Sequence, residues 1–112
     1  FLNVHEGPQS ISSASKVKFL PGMIISNEPG YYKANSYGIR IENLVVVKKL
    51  GNKYSLETLT LAPIDKKLIE IKLLSKHEIN WLNSYHEKVY KKLKVHLMPK
   101  EREWLKAECS NL

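Results

Sequence analysis

The sequence predicts an α+β protein, with strands in its first half and helices in its second. Three observations carry this. Up to Leu61, short apolar runs alternate with turn dipeptides such as Pro21-Gly22, Pro29-Gly30 and Gly51-Asn52. The β-branched run Val45-Val46-Val47 marks a centrally placed strand. After Ala62-Pro63 the periodicity changes from two to that of a helix, and a helix-start signature appears at Ser75-Lys76-His77-Glu78.

Taken in order, Phe1–Val4 reads as a strand or strand end that runs into His5-Glu6-Gly7-Pro8, where Gly-Pro is loop chemistry. The Ser-rich stretch Gln9–Ser15 reads as irregular surface, and Lys16–Leu20 alternates weakly. Pro21-Gly22 is a turn, and Met23–Ser26 a brief strand that delivers Glu28. Pro29-Gly30 bends the chain into a polar loop, Tyr31–Tyr37. Gly38 then opens one long strand, Ile39–Lys48. Leu50-Gly51-Asn52-Lys53 is a hairpin turn, and Tyr54–Leu61 returns with period-two alternation. In the second half, Ser75 and Glu78 form a capping box that starts a helix of roughly twenty residues. Its apolar stripe is Ile79, Leu82, His86, Val89 and Leu93, widened by Trp81 and Tyr85. Pro99 opens a second helix to about Glu108, with Trp104 and Leu105 as apolar contacts.

A chain of 112 residues supports a modest core. No apolar run approaches the roughly 18 residues of a membrane span, and no basic-then-apolar leader is present. The single Cys109 excludes an internal disulfide and a cysteine-zinc cluster, so a cytoplasmic setting is the default. The formal net charge of +7 invites a nucleic-acid partner. The charges argue against it: residues 1–64 carry seven Lys/Arg against four Glu, and residues 65–112 carry eleven against seven acids, interleaved throughout. No nucleic-acid recognition motif accompanies them. The first residue, Phe1, stands inside an apolar run without Met, which reads as a cut within a domain.

Two glutamates are the chemical focus. Glu28 lies in Ser26-Asn27-Glu28-Pro29-Gly30-Tyr31-Tyr32 and Glu42 in Gly38-Ile39-Arg40-Ile41-Glu42-Asn43, each interrupting a strand-like run. If the flanking strands pair antiparallel, residues at the ends of the intervening loop lie about 5 Å apart. Two carboxylates there either hold divalent metal or pair with Arg40 on a wet, salt-bridged face. Arg40 and Glu42 are two residues apart and share that face, opposite Ile39 and Ile41. His5 is either a proton donor or oxyanion partner or a structural residue. Tyr31 and Tyr32 either meet a substrate or pack. His86 is expected to pack, with His77 and His96 in water.

The motifs His5-Glu6-Gly7-Pro8, Pro21-Gly22-Met23, Asn27-Glu28-Pro29-Gly30-Tyr31-Tyr32, Gly38-Ile39-Arg40-Ile41-Glu42-Asn43 and Glu57-Thr58-Leu59-Thr60-Leu61-Ala62-Pro63-Ile64-Asp65 occur in order. Together they resemble the C-terminal end of Xaa-Pro aminopeptidase (aminopeptidase P), of the pita-bread metallopeptidase family M24. The resemblance extends over essentially the whole chain. It implies that residues 1–61 are the C-terminal part of a pita-bread (creatinase/aminopeptidase) catalytic domain. Residues 62–112 would be the helical extension of the larger, three-domain form.

The family removes the N-terminal residue from peptides with proline second. It uses two divalent ions, usually Mn²⁺ with Zn²⁺ or Co²⁺ as alternatives, that acidify a water. By resemblance Glu28 is a metal ligand that also shuttles a proton, and Glu42 bridges both metals. His5 steadies the substrate carbonyl, and Arg40 and Tyr32 orient the ligands or substrate. The family's two aspartates and its ligand histidine have no counterpart here, since the single Asp65 lies in the tail motif. The chain alone is therefore expected to be inactive, with an upstream chain or a homodimer through the C-terminal region as partner. A non-catalytic protein-interaction module derived from the same fold is the alternative.

Overall fold

The computed structural model describes residues 7–112, so Phe1–Val4 and His5 lie outside the described residues. The chain divides into two compact units, Phe1–Thr60 and Leu61–Leu112.

Among the described residues the first unit holds five strands: β1 (Ile24–Asn27), β2 (Gly30–Lys33), β3 (Tyr37–Arg40), β4 (Asn43–Leu50) and β5 (Lys53–Thr58). β4 is the centre of a three-stranded antiparallel sheet, between β1 and β5. Its valines explain why. Val45 and Val47 turn to one face with Ile25 and are 4%, 1% and 5% exposed, with Phe19 and Met23 packed against them. β4 and β5 are joined by a two-residue turn in which Gly51 takes φ 59°, a position that a type II′ hairpin reserves for glycine.

The polar loop expected over Tyr31–Tyr37 is instead a ribbon. β2 and β3 pair antiparallel from Gly30↔Arg40 to Lys33↔Tyr37, closed by a short turn with Asn35 at φ 54°. Correspondingly, the single strand expected over Ile39–Lys48 is split into β3 and β4. The physical reason lies in Pro29. Ile41 N–H donates to the Pro29 carbonyl at 3.2 Å, but Pro29 has no N–H to return, so the ladder breaks there. The register does not slip across the break. β1 pairs with β4 as Asn27↔Asn43, and the ribbon resumes in step at Gly30↔Arg40.

The second unit holds α1 (Lys76–Leu93) and α2 (Pro99–Glu108), preceded by short 3-10 turns at Lys66–Leu68 and Ile71–Leu73. The capping box is formed: Ser75 Oγ accepts from Glu78 N–H at 3.3 Å, and Glu78 Oε2 accepts from Ser75 N–H at 2.7 Å. These bonds with Ser75 hold the Glu78 carboxyl below its ordinary range. Ser75→Ala is expected to cost about 1 kcal/mol, read as a lower thermal midpoint by circular dichroism; an unchanged midpoint would show the cap is dispensable. The core gathers Leu82, Tyr85 and Val89 of α1 with Leu105 and Cys109. His86 is fully buried, as its place on the stripe implies, and His77 and His96 are exposed. Trp81 stacks on Tyr85 with ring centres 5.6 Å apart yet stays half exposed, as does Trp104.

Candidate metal centre and its surroundings

The continuous register decides the geometry of the two glutamates. Carried across the interruption, it sets Glu28 opposite Glu42, one step beyond the Asn27↔Asn43 pair. Like charges facing each other across strands repel. Arg40, two residues before Glu42 and so on the same face, lies between them. Its Nη1 donates to Glu28 Oε2 at 3.1 Å, and its Nε lies 3.6 Å from Glu42 Oε2. Ser26, two residues before Glu28, donates its hydroxyl to Glu28 Oε1 at 2.9 Å. Sequence reasoning passed over Ser26, although strand alternation alone puts it beside Glu28.

The Glu28 side chain is 22% exposed, whereas those of Glu42 and Arg40 are 45% and 49% exposed. The three open onto a cleft of about 970 Å³. One wall is the sheet face carrying Ile24, Ser26 and Leu44, opposite the buried face of Ile25 and Val45; the other includes residues 7–11. Gln9 ties that segment to the sheet edge by donating to the Ile24 carbonyl at 3.3 Å.

Tyr32 belongs to the same face, further along the ribbon, and pairs with Gly38. Its ring lies flat across the backbone. A Cβ at Gly38 would come within 2.6 Å of Tyr32 Cδ1, and one at Gly30 within 2.9 Å of its hydroxyl. Gly30 and Gly38 thus leave room for the ring to lie back toward the carboxylates. Tyr31 turns to the other side of the ribbon, 6.1 Å from Tyr37. The structure therefore brings together Glu28, Glu42 and Arg40, with Tyr32 on the same face. His5 is outside the described residues.

The donor set fits divalent metal in part. Two facing carboxylates supply the hard oxygen ligands that such ions take. Among the described residues no group of three or more His, Cys, Asp or Glu is gathered, so these two are what this region offers. Also among the described residues, no helix is long and apolar enough to cross a membrane.

Comparison with known proteins meets this geometry from another side. Residues 2–49 match metallopeptidase family M24, and residues 52–112 match the C-terminal region of peptidase M24. A probable Xaa-Pro aminopeptidase P of Coprinopsis cinerea is 46% identical over 98% of this chain and 20% of its own length. Aminopeptidase P2 of Arabidopsis thaliana is 47% identical over 82% of this chain and 14% of its own. The crystal structure of X-prolyl aminopeptidase from Caenorhabditis elegans, described as a cytosolic enzyme with a di-nuclear active site, superposes with a TM-score of 0.86. It is 36% identical, over 99% of this chain and 20% of that one. The chain thus spans about one-fifth of the length of these relatives or less. With matches that together reach nearly end to end, strands and helical tail alike, this chain belongs to the metallopeptidase family M24, in its Xaa-Pro aminopeptidase branch.

Proposed function

We propose that the chain is the C-terminal portion of a dinuclear-metal Xaa-Pro aminopeptidase, contributing two of the metal-ligating carboxylates. The observation that carries this is the in-register Glu28–Glu42 pair, held by Arg40 and open to a cleft. Residues 1–61 form part of the catalytic domain in this proposal, and residues 62–112 its helical extension. The setting is cytoplasmic, by likeness to the worm relative.

In this proposal Glu28 and Glu42 help hold two divalent ions, Mn²⁺ by the family resemblance, through the hard carboxylate oxygens that such ions take. When bound, such ions make a water acidic enough to attack a peptide carbonyl near neutral pH. Glu28 is placed to take the proton, because one of its oxygens is oriented by Ser26 and the other by Arg40. Arg40 pairs with both carboxylates and offsets their mutual repulsion. Tyr32, on the same face of the ribbon, is assigned to orient the ligands or substrate on the strength of its motif. His5 is assigned to the substrate carbonyl, on the strength of its motif. The proline-containing peptide occupies the cleft beside residues 7–11.

The ligand set within the chain is incomplete, so the chain by itself does not hydrolyse peptides. The test is hydrolysis of an Xaa-Pro peptide with added Mn²⁺, by this chain alone and mixed with a chain carrying the upstream part of a relative. Activity only in the mixture is expected. Activity in the chain alone would overturn the account of the ligands. Activity in neither, with association retained, would favour the non-catalytic interaction module.

A further inference from the structure

Residues 62–66 form a strap at the start of the helical unit, and two neighbouring side chains of α1 hold it. Tyr85 donates its hydroxyl to the Ala62 carbonyl at 2.9 Å and accepts from Ala62 N–H at 3.4 Å. His86 Nε2 accepts from Ile64 N–H at 3.0 Å. A third tie runs to the end of α2 and just beyond it, where Lys66 Nζ donates to the carbonyls of Ala107 (3.1 Å) and Ser110 (2.9 Å). Because an amide N–H can only donate, the His86–Ile64 bond requires Nε2 to be unprotonated, and the neutral ring carries its hydrogen on Nδ1. His86 is 0% exposed, and its Nδ1 has no partner among the described residues.

We propose that His86 is a proton-released latch: neutral, it clasps residues 62–66 onto α1, and on protonation it lets Ile64 go. The geometry allows little else. A proton on Nε2 sets donor against donor at Ile64 and puts a cation where no water reaches. Charged and titratable groups face the ring from the strap, from α2 and from α1 itself. The Lys66 ammonium, on the strap itself, disfavours a second positive charge, and the Glu108 carboxylate of α2 favours it. On its own helix Tyr85 lies with ring centres 5.9 Å apart, and burial pushes its phenol up, so it stays neutral and keeps its grip on Ala62. Burial is the largest influence on His86 and, with Lys66, lowers its pKa.

The sign follows. A folded-state pKa below the unfolded value means that the latch contributes fully above about pH 6.5, the ordinary histidine value. It is lost as the pH falls from there through the lowered folded-state pKa. Release begins at Ile64, since the Tyr85 clasp on Ala62 does not titrate in this range.

The test is amide hydrogen exchange on the full chain, with protection factors for Ile64 and Val89 measured from about pH 7.5 to about pH 5. Ile64 protection is expected to fall about ten-fold or more, ahead of Val89. In His86→Gln the amide oxygen can still accept from Ile64 but does not titrate, so the fall should vanish. Glu108→Gln should keep the fall but move it to lower pH. Flat Ile64 protection in the natural chain would overturn the proposal, as would an equal fall in His86→Gln. If His86→Gln does not fold, the His86 ring nitrogens are titrated by NMR in the natural chain. A midpoint coinciding with the loss at Ile64 supports the latch, and a different midpoint overturns it.

Discussion

Replacing Glu42 with Gln is expected to lower kcat/KM of the complemented enzyme at least about a hundred-fold at fixed Mn²⁺. Removing a residue that merely orients a ligand costs about 10- to 100-fold, and loss of a shared ligand exceeds that. Glu28→Gln should do the same, because in the proposed site it removes a ligand and the proton acceptor together. Arg40→Met should fall within the smaller range and recover in part with added metal, since both carboxylates remain. The competing account, a plain surface salt bridge, makes a different forecast. With Arg40 and Glu42 about half exposed, their pairing is worth about 0–1 kcal/mol. Under that account Glu42→Gln changes neither folding nor hydrolysis by much. A variant that keeps its activity within about three-fold would therefore remove Glu42 from the proposed metal site.

Leu105→Ala is expected to have the largest effect on stability, about 2–5 kcal/mol. Leu105 is 1% exposed and packs with Leu82, Tyr85, Val89 and Cys109, so the lost side chain leaves a cavity among close-packed neighbours. A unit as small as residues 61–112 has few other contacts to absorb the loss. Both tryptophans, Trp81 and Trp104, belong to this unit, so intrinsic fluorescence during urea unfolding reads it selectively. A midpoint displaced by less than about 0.5 kcal/mol would show that Leu105 is not a core residue.

Much of the fold was legible because its signals are local. The capping box at Ser75–Glu78, the glycine of the Gly51 turn and the apolar stripe of α1 each depend on residues a few positions apart. The β2–β3 ribbon was not legible. All eight of its residues are exposed, so no alternation of apolar and polar side chains betrays a strand. Its strands are specified by backbone pairing and by the turn at Asn35. Periodicity offers both Trp104 and Leu105 as apolar contacts of α2, but Leu105 fills the core and Trp104 stays 58% exposed. On so short a helix, two adjacent large residues cannot be ranked by periodicity.

The sequence by itself determined the class, the order of strands before helices, and the family, because motif order survives without coordinates. It also put Arg40 and Glu42 on one face, since strand alternation is a property of the backbone. Only the tertiary structure decided that Glu28 stands opposite Glu42. That depends on a register held in step across the break at Pro29, which pairing between distant strands sets and no local signal encodes. It likewise turned His86 from one residue of an apolar stripe into the acceptor for Ile64, because burial and a partner 22 positions away are consequences of packing.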